Sequence, residues 1–263
     1  MTDFKTQKPQ YIQLVNWIFG LCICFTCAWV QAAETEAEAS DEVLINAAAK
    51  GNVPLVKEIL EDEQDLSQDT INKAFFAGIQ KGSKPIVQRL IDRGADIEYR
   101  GDNGYTALIQ AARDGRNHLV ELLLPLGAAV NATATDTGET ALILAAKRDR
   151  REVMQQLLAA RADLNVQRNS DGMTALMLAA RGGHQQATHM LLEAGANVDF
   201  QLENGATALM LAAQHGHLGV IYVLLAANAD VNIKAENGAT ALTLANVYRH
   251  GEAAEMLKKA GAR

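Results

Sequence analysis

The sequence has 263 residues, of which 49% are hydrophobic, 21% charged and 5% aromatic, and its formal net charge is −7. This composition is typical of a folded protein, not of a disordered or collagen-like one. The acidic balance argues against nucleic-acid binding, which requires clustered lysine and arginine, and against membrane binding through basic charge. Length alone predicts one or two domains, provided that the chain forms a compact core.

The N-terminal segment 1–33 has the three parts of a secretory signal peptide. Lys5 and Lys8 precede an apolar run over 14–30, and small residues follow it at Ala32 and Ala33. A positive region, an apolar region and a small-residue exit predict cleavage after one of these alanines. The alternative is an uncleaved anchor, because the run approaches the roughly 20 residues that span a bilayer.

Both alternatives predict export of the remaining chain. The lysines stay on the inner side of the membrane, whereas an acidic stretch over 34–41 follows on the outer side and is expected to be a solvated linker. We therefore expect a periplasmic or secreted protein, or a membrane-anchored one with an exported body if the signal is retained. All three cysteines, Cys22, Cys24 and Cys27, lie in the N-terminal segment. The body therefore lacks a disulfide framework, a cysteine zinc site and a thiol nucleophile.

A repeat of about 33 residues organises the rest of the chain. A Gly-x-Thr-Ala-Leu unit occurs five times, at intervals of 34, 34, 33 and 33 residues. The units begin at Gly104, Gly138, Gly172, Gly205 and Gly238. Threonine is expected to cap a short first helix, whose alanines allow close packing, and a following glycine permits the left-handed turn into a second, leucine-rich helix. Asn-Gly and Asp-Gly pairs then predict tight turns between units.

This pattern resembles the ankyrin repeat. The repeat's signature reads Thr-Ala-Leu-Ile-Gln-Ala at 106–111 and Thr-Ala-Leu-Met-Leu-Ala at 174–179 and 207–212. Alanine replaces the proline of the family signature, and no histidine follows the leucine. The resemblance implies an all-α fold, an α-solenoid of helix-turn-helix units joined by β-turn fingers, with about seven repeats. It also implies that fingertips and the concave face of the first helices contact a protein partner.

Two weaker units upstream complete the predicted array. The expected boundaries are a degenerate N-capping repeat at 42–70, repeats at 71–103, 104–137, 138–171, 172–204 and 205–237, and a C-capping repeat at 238–263. Arg161 occupies a place where other units carry glycine or asparagine, so we expect local strain there. Polar terminal repeats are expected, because nothing covers the outer faces of a one-dimensional stack.

No familiar catalytic motif is present in the sequence, and we expect a protein that is not an enzyme and has no cofactor. His184, His217 and His250 recur at intervals of 33 residues. Imidazoles at successive turns can bind a metal, but helices packed roughly 8 to 10 Å apart hold neighbouring rings too far apart to share one ion. We therefore interpret these histidines as residues of inter-helix turns and predict no metal site.

The turns and the ends of the first helices carry the candidate binding residues. Acids and amides stand just before each repeat glycine, and cations stand at the ends of the first helices. Such residues also suit turns and helix C-termini for purely structural reasons, so both interpretations stay open. In the binding interpretation the partner is locally basic, and an exposed Tyr105 serves as an anchor. The predicted partner-binding residues are Asp102, Asn103, Tyr105, Arg113, Asp136, Lys147, Arg148, Asp171, Arg181, Glu203 and Glu236.

The leading hypothesis is an exported, monomeric protein-protein interaction module of bacterial type. The alternative is a dedicated inhibitor, immunity-type protein or stabiliser of one exported enzyme, and an enzyme with an unfamiliar site is a distant third. The repeats occupy nearly all of the predicted mature chain, which leaves little room for a separate catalytic domain.

Overall fold

The computed structural model describes residues 41–62 and 65–263. The predicted signal segment 1–33 and all but the last residue of the predicted acidic linker lie outside these ranges. The described chain forms fourteen helices and no strands, apart from two isolated antiparallel bridges. None of the described helices has the length and apolar character needed to span a bilayer.

The helices follow one another as seven pairs, each with a first and a second helix. Their bounds are α1 (41–50), α2 (Val53–Asp62), α3 (Gln68–Lys81), α4 (Lys84–Asp92), α5 (Ala107–Asp114), α6 (Asn117–Leu123), α7 (Ala141–Lys147), α8 (Arg151–Ala159), α9 (Ala175–Arg181), α10 (Gln185–Glu193), α11 (Ala208–His215), α12 (Leu218–Ala226), α13 (Ala241–Val247) and α14 (Gly251–Lys259). From α3 to α13 each first helix packs against the next first helix. The all-α solenoid predicted from the repeat is thus confirmed.

Threonine caps the first helices, as the repeated motif predicts. In α7, for example, the Thr140 hydroxyl accepts a hydrogen bond from the backbone N–H of Ile143 at 3.2 Å. The same bond joins Thr106 to Ile109 and Thr174 to Met177. Such a cap satisfies one of the backbone donors that the first turn leaves without a partner.

One continuous core runs along the stack between the two helix layers. The leucine of each motif is at most 2% exposed in the four repeats from α5 to α11. The alanine pairs behind it, such as Ala145 and Ala146, are fully buried. Because alanine carries only a methyl group, the first helices approach one another closely, and the larger side chains of the second helices fill the space behind them.

Four residues other than glycine adopt a left-handed backbone where most repeats place glycine. They are Asp149, Arg161, Asn228 and Arg249, with φ angles between 52° and 63°. Gly94, Gly127 and Gly195 hold the position of Arg161 in other repeats, with φ angles between 90° and 96°. The strain expected at Arg161 therefore has a defined cause, since an L side chain in this region costs about 1 to 2 kcal/mol.

Arg161→Gly is expected to stabilise the protein by about 0.5 to 1 kcal/mol. The backbone strain is relieved, and the greater freedom of glycine in the unfolded chain offsets part of the gain. Urea unfolding at neutral pH measures the difference. Asn228→Gly serves as the comparison and should gain less, because asparagine tolerates the left-handed region better than arginine. A loss of stability in Arg161→Gly would contradict the assignment of strain.

Candidate functional site

A continuous chain of polar contacts crosses the first-helix side of the three repeats that contain α5, α7 and α9, the side that the ankyrin resemblance implies to be concave. At its N-terminal end, the Asn103 amide donates to Gln110 Oε1 at 3.1 Å, and Gln110 Nε2 donates to Asp114 Oδ2 at 2.6 Å. Arg113 Nε donates to the other oxygen of Asp114 at 3.0 Å. The Arg113 guanidinium also lies over the Tyr105 ring, 5.4 Å from its centre. One fingertip is thus tied to the end of its own first helix.

Glu139 is the centre of this chain of contacts. Its side chain is only 5% exposed, although it carries a charge. Lys147 Nζ donates to Oε1 at 3.1 Å, Arg168 Nη1 donates to the same oxygen at 3.3 Å, and the Tyr105 hydroxyl donates to Oε2 at 3.5 Å. Tyr105, Glu139 and Arg168 lie in three successive fingers, so one buried carboxylate links all three fingers and the end of α7. Burying a carboxylate without such partners would cost several kcal/mol.

Asp171 extends the contacts into the next finger. Arg168 Nε donates to Asp171 Oδ1 at 2.6 Å, and a second Arg168 nitrogen donates to Oδ2. Arg181 lies 4.0 Å from the same carboxylate. We call the whole set the concave network. Its members are Asn103, Tyr105, Gln110, Arg113, Asp114, Glu139, Lys147, Arg168, Asp171 and Arg181.

The hydrogen bonds from Arg168 lower the pKa of Asp171, with further contributions from the Met173 backbone N–H and the charge of Arg181. A carboxylate whose pKa is lower in the folded state adds stability above its unfolded pKa, and this stability is lost as the pH falls through the folded value.

Asp171→Asn is therefore expected to be less stable than the wild type at pH 7, and the difference should shrink as the pH falls below about 4. Urea midpoints measured between pH 7 and pH 2 test this. A difference that stays constant across the range would show that Asp171 acts through its shape and hydrogen bonds alone, without its charge.

The structure divides the predicted binding residues into two groups. Six of them belong to the concave network: Asn103, Tyr105, Arg113, Lys147, Asp171 and Arg181. Tyr105, expected to be exposed, is half-buried because Arg113 covers its ring and its hydroxyl reaches Glu139. The cations at the ends of the first helices are also largely neutralised, because Arg113, Lys147 and Arg181 each lie next to an acid.

The other five predicted residues lie outside the network and are exposed. They are Asp102, Asp136, Arg148, Glu203 and Glu236. Within the described ranges, none of their side chains forms an ion pair or a hydrogen bond. The four acids come from four different fingers, and we call them the acidic fingertips. They leave the finger edge of the stack with unpaired negative charge.

Four network residues were not predicted from the sequence: Gln110, Asp114, Glu139 and Arg168. Glu139 was detectable in principle, because it occupies the variable place of the Gly-x-Thr-Ala-Leu motif, where Tyr105 is its counterpart. Arg168 gave no such signal, since its partner Glu139 lies 29 residues earlier.

The periodic histidines lie at the opposite edge, in the turns between first and second helices. Nε2 of His184, His217 and His250 contacts the backbone carbonyls of Lys147, Arg181 and Gln214, at 3.2, 3.0 and 3.1 Å respectively. Each histidine thus binds a carbonyl at or next to the end of the first helix in the preceding repeat. No cluster of three or more potential metal ligands occurs in the part of the chain that the structure describes.

Comparison with known proteins decides the family. A family model described as "Ankyrin repeats (3 copies)" matches overlapping stretches that together run from residue 44 to residue 263. The chain belongs to the ankyrin repeat family. Repeats of this family generally mediate protein-protein interactions and serve as non-enzymatic scaffolds.

Individual relatives match about one third of the chain. Ankyrin repeat and SAM domain-containing protein 6 of Mus musculus is 37% identical over 93 residues, which are 34% of this chain and 10% of the relative. Ankyrin repeat and KH domain-containing protein mask-1 of Caenorhabditis elegans is 37% identical over 88 residues, 34% of this chain and 3% of the relative. A probable E3 ubiquitin-protein ligase of Oryza sativa subsp. japonica is 33% identical over 90 residues, 33% of this chain and 17% of the relative.

The matched part is thus a small fraction of each of these three relatives. All three are eukaryotic proteins, so they do not support the expectation of an exported bacterial type.

Proposed function

We propose that this ankyrin repeat protein is a non-enzymatic binding module whose acidic fingertips and concave first-helix face hold a protein partner with basic residues. The observation that carries the proposal is the contrast between paired and unpaired charge. Arg113, Lys147 and Arg181 at the ends of the first helices each lie next to an acid of the concave network, whereas the side chains of the acidic fingertips form no ion pair within the described ranges. Complementary charge steers association and determines which partners are rejected.

The concave network supports this role by fixing the fingers relative to the first helices. Glu139 joins three successive fingers through Tyr105 and Arg168 and binds Lys147 at the end of α7, so the central fingers are held in one arrangement before a partner arrives. A preformed surface loses less conformational entropy on binding.

We further propose that the protein works as an exported monomer without a cofactor. The apolar run over 14–30, the preceding lysines and the acidic stretch after the run support export. N-terminal sequencing of the mature protein tests cleavage. A mature chain that begins after Ala32 or Ala33 supports a cleaved signal, whereas an intact N-terminus on an exported, membrane-bound chain supports the anchor.

Reversing the charge of the acidic fingertips is expected to weaken partner binding at least tenfold. The variant is Asp102→Lys, Asp136→Lys, Glu203→Lys and Glu236→Lys combined. The partner is captured from the exported fraction with the wild-type protein, identified by mass spectrometry and purified, and the rates of association and dissociation are then measured at two salt concentrations. We expect the loss mainly in the association rate and mainly at low salt.

The matched control reverses four exposed acids on the second helices and so makes the same change in net charge. It combines Glu58→Lys, Glu121→Lys, Glu152→Lys and Glu252→Lys, none of which removes an ion pair described in the structure. Equal losses in both variants would contradict a fingertip site, because net charge alone would then explain the effect. A captured enzyme that loses its activity in the complex would favour the dedicated inhibitor over a general scaffold.

A further inference from the structure

The turns between first and second helices form the edge of the stack opposite the fingers, and the first four of them are rich in cations. These four turns lie at 50–53, 81–84, 114–117 and 148–151. They contain seven lysine or arginine residues and two acids, in a chain whose formal net charge is −7. The three later turns, which hold the periodic histidines, contain one arginine and no acid. We call the seven cations the turn row. Its members are Lys50, Lys81, Lys84, Arg116, Arg148, Arg150 and Arg151.

Three cations of the turn row reach back over the preceding turn. Each side chain lies directly over the glycine of that turn, at 2.7 to 3.0 Å from a Cβ placed there. The pairs are Lys81 over Gly51, Arg116 over Gly82 and Arg150 over Gly115. Packed helices stand roughly 8 to 10 Å apart, so these three charges follow one another at about this interval. The turn row therefore contains ordered charges at regular spacing.

The charges of the turn row are largely unpaired, in contrast to those of the concave network. Within the described ranges only Arg151 forms an ion pair, with Asp149 at 3.6 Å, and the other six form neither an ion pair nor a side-chain hydrogen bond. Nε of Arg116 and of Arg150 is buried without a hydrogen-bond partner. In later repeats the periodic histidines occupy the position of these two arginines and contact a backbone carbonyl. The arginines lack this structural contact, which leaves their charge available to a ligand.

We propose that the turn row binds an extended acidic segment of a second protein partner. The module then has charged surfaces of opposite sign on opposite edges, and it joins a basic partner at the acidic fingertips to an acidic partner at the turn row. The inference goes beyond the proposed function and does not depend on it, because the two surfaces share no residue. Complementary charge at fixed positions determines which partner each surface accepts.

The surroundings of the turn row favour a narrow chain over a flat anionic surface. The neighbouring second helices carry exposed acids at Glu58, Glu121 and Glu152. A bilayer of anionic lipid would also approach these carboxylates and be repelled by them, whereas an extended segment contacts the row alone. The first four turns contain no aromatic residue. A single-stranded nucleic acid would therefore lack the stacking contacts that such strands use.

The spacing of the cations predicts the spacing of the acids in the partner segment. Four successive turns span about 24 to 30 Å, because packed helices stand roughly 8 to 10 Å apart. A chain in the polyproline II conformation rises about 3.1 Å per residue and has three residues per turn. Every third side chain therefore faces the same side at intervals of about 9 Å. We expect an acid at every third position over about ten residues.

Labelled peptides of about twelve residues test the proposal on the full chain by fluorescence polarisation. The spaced peptide has glutamate at every third position, with proline and serine between. A second peptide has the same composition with its four glutamates consecutive, and a third has glutamine at every glutamate position. We expect the spaced peptide to bind at least fivefold more tightly than the consecutive one, and the glutamine peptide to show no binding.

Neutralising the turn row is expected to weaken binding of the spaced peptide at least tenfold. The row variant combines Lys81→Gln, Arg116→Gln, Arg148→Gln and Arg150→Gln. A second variant, Arg116→Lys with Arg150→Lys, should keep most of the affinity, because it changes the shape of these side chains but not their charge. Thermal unfolding shows whether both variants keep the fold.

The matched control makes the same change in net charge at exposed residues outside the turn row. It combines Arg89→Gln, Lys234→Gln, Lys259→Gln and Arg263→Gln, none of which removes an ion pair described in the structure. The control should bind the spaced peptide as the wild type does. Equal losses in the row variant and the control would overturn the inference, because net charge alone would then explain the effect. Equal affinity of the spaced and consecutive peptides would overturn the extended register.

Other occupants of the turn row give distinct results. Anionic vesicles or a single-stranded oligothymidylate that bind more tightly than the spaced peptide, and lose binding in the row variant, would overturn the acidic segment. Binding of the peptide only after Glu34, Glu36 and Glu38 are replaced by glutamine would assign the row to the chain's own acidic stretch. Self-association in sedimentation that the row variant abolishes would assign it to a second copy.

The two surfaces are tested separately. The variant with four lysines at the acidic fingertips should bind the spaced peptide at least as tightly as the wild type does. Loss of the basic partner in that variant, together with no binding of the spaced peptide to the wild type, would overturn this inference and leave the proposed function standing. Binding of the spaced peptide without any effect of the fingertip variant on the basic partner would do the reverse.

Discussion

Glu139→Ala is expected to lower the free energy of unfolding by about 3 kcal/mol. The substitution removes a carboxylate that is 5% exposed and leaves Arg168, itself 11% exposed, with one acidic partner where it had two. Removing one member of a buried ion pair costs about 3 to 5 kcal/mol, because the remaining charge loses its compensation. The lower end of this range applies here, since Asp171 still binds Arg168 and Lys147 can turn towards water. Urea unfolding monitored by circular dichroism measures the change.

Asp136→Ala is the control for this prediction. Asp136 lies three residues earlier in the same finger, but it is exposed and has no ion pair in the described structure. Its replacement should change stability by less than about 0.5 kcal/mol. Equal stability of the two variants would show that the contacts to Glu139 contribute nothing in solution.

The repeat itself was predictable, because every part of it is a local signal. The threonine caps, the alanine pairs and the left-handed glycines each act within a few residues of their own position, and the period of 33 or 34 residues repeats them. These local signals largely specify a one-dimensional stack, since each repeat contacts only its neighbours.

The concave network was only partly predictable, because its contacts join residues far apart in the sequence. Tyr105 reaches Glu139 across 34 positions, and Arg168 reaches it across 29. The sequence shows cations at the ends of the first helices but not the acids that neutralise them. Burial of Glu139 could not be inferred from its motif position, because the counterparts of this residue range from Tyr105 to Ala239.

The periodic histidines were also only partly predictable, because the contact of each ring joins two repeats. Their period predicted inter-helix turns, but the contact that explains it became visible only in the structure. Each ring reaches back to a first helix of the preceding repeat. At two of these turns the ring also lies directly over a left-handed glycine: His217 over Gly183 and His250 over Gly216. Glycine is therefore required there both for its backbone angle and for the space above it.

Gly216→Ala is expected to destabilise the last repeat by about 2 to 3 kcal/mol. Gly216 has φ 68°, a region that costs an alanine about 1 to 2 kcal/mol. A Cβ at this position would lie 2.5 Å from Nδ1 of His250, so the ring must move. Moving the ring breaks its contact with the Gln214 carbonyl, worth about 1 kcal/mol. Because a repeat is held only by its neighbours, hydrogen exchange should quicken first in α13 and α14.

Gly195→Ala isolates the contribution of the ring. Gly195 also has a left-handed backbone, with φ 94°, but nothing lies within 4 Å of a Cβ placed there. Its replacement should therefore show the backbone cost alone, about 1 to 2 kcal/mol. In a double-mutant cycle, adding Gly216→Ala to His250→Ala should cost no more than Gly195→Ala does, since the ring is already absent. Gly216→Ala could instead lower the free energy of unfolding equally with and without the His250 ring. The ring would then not be the reason for glycine at position 216, and the backbone angle alone would explain it.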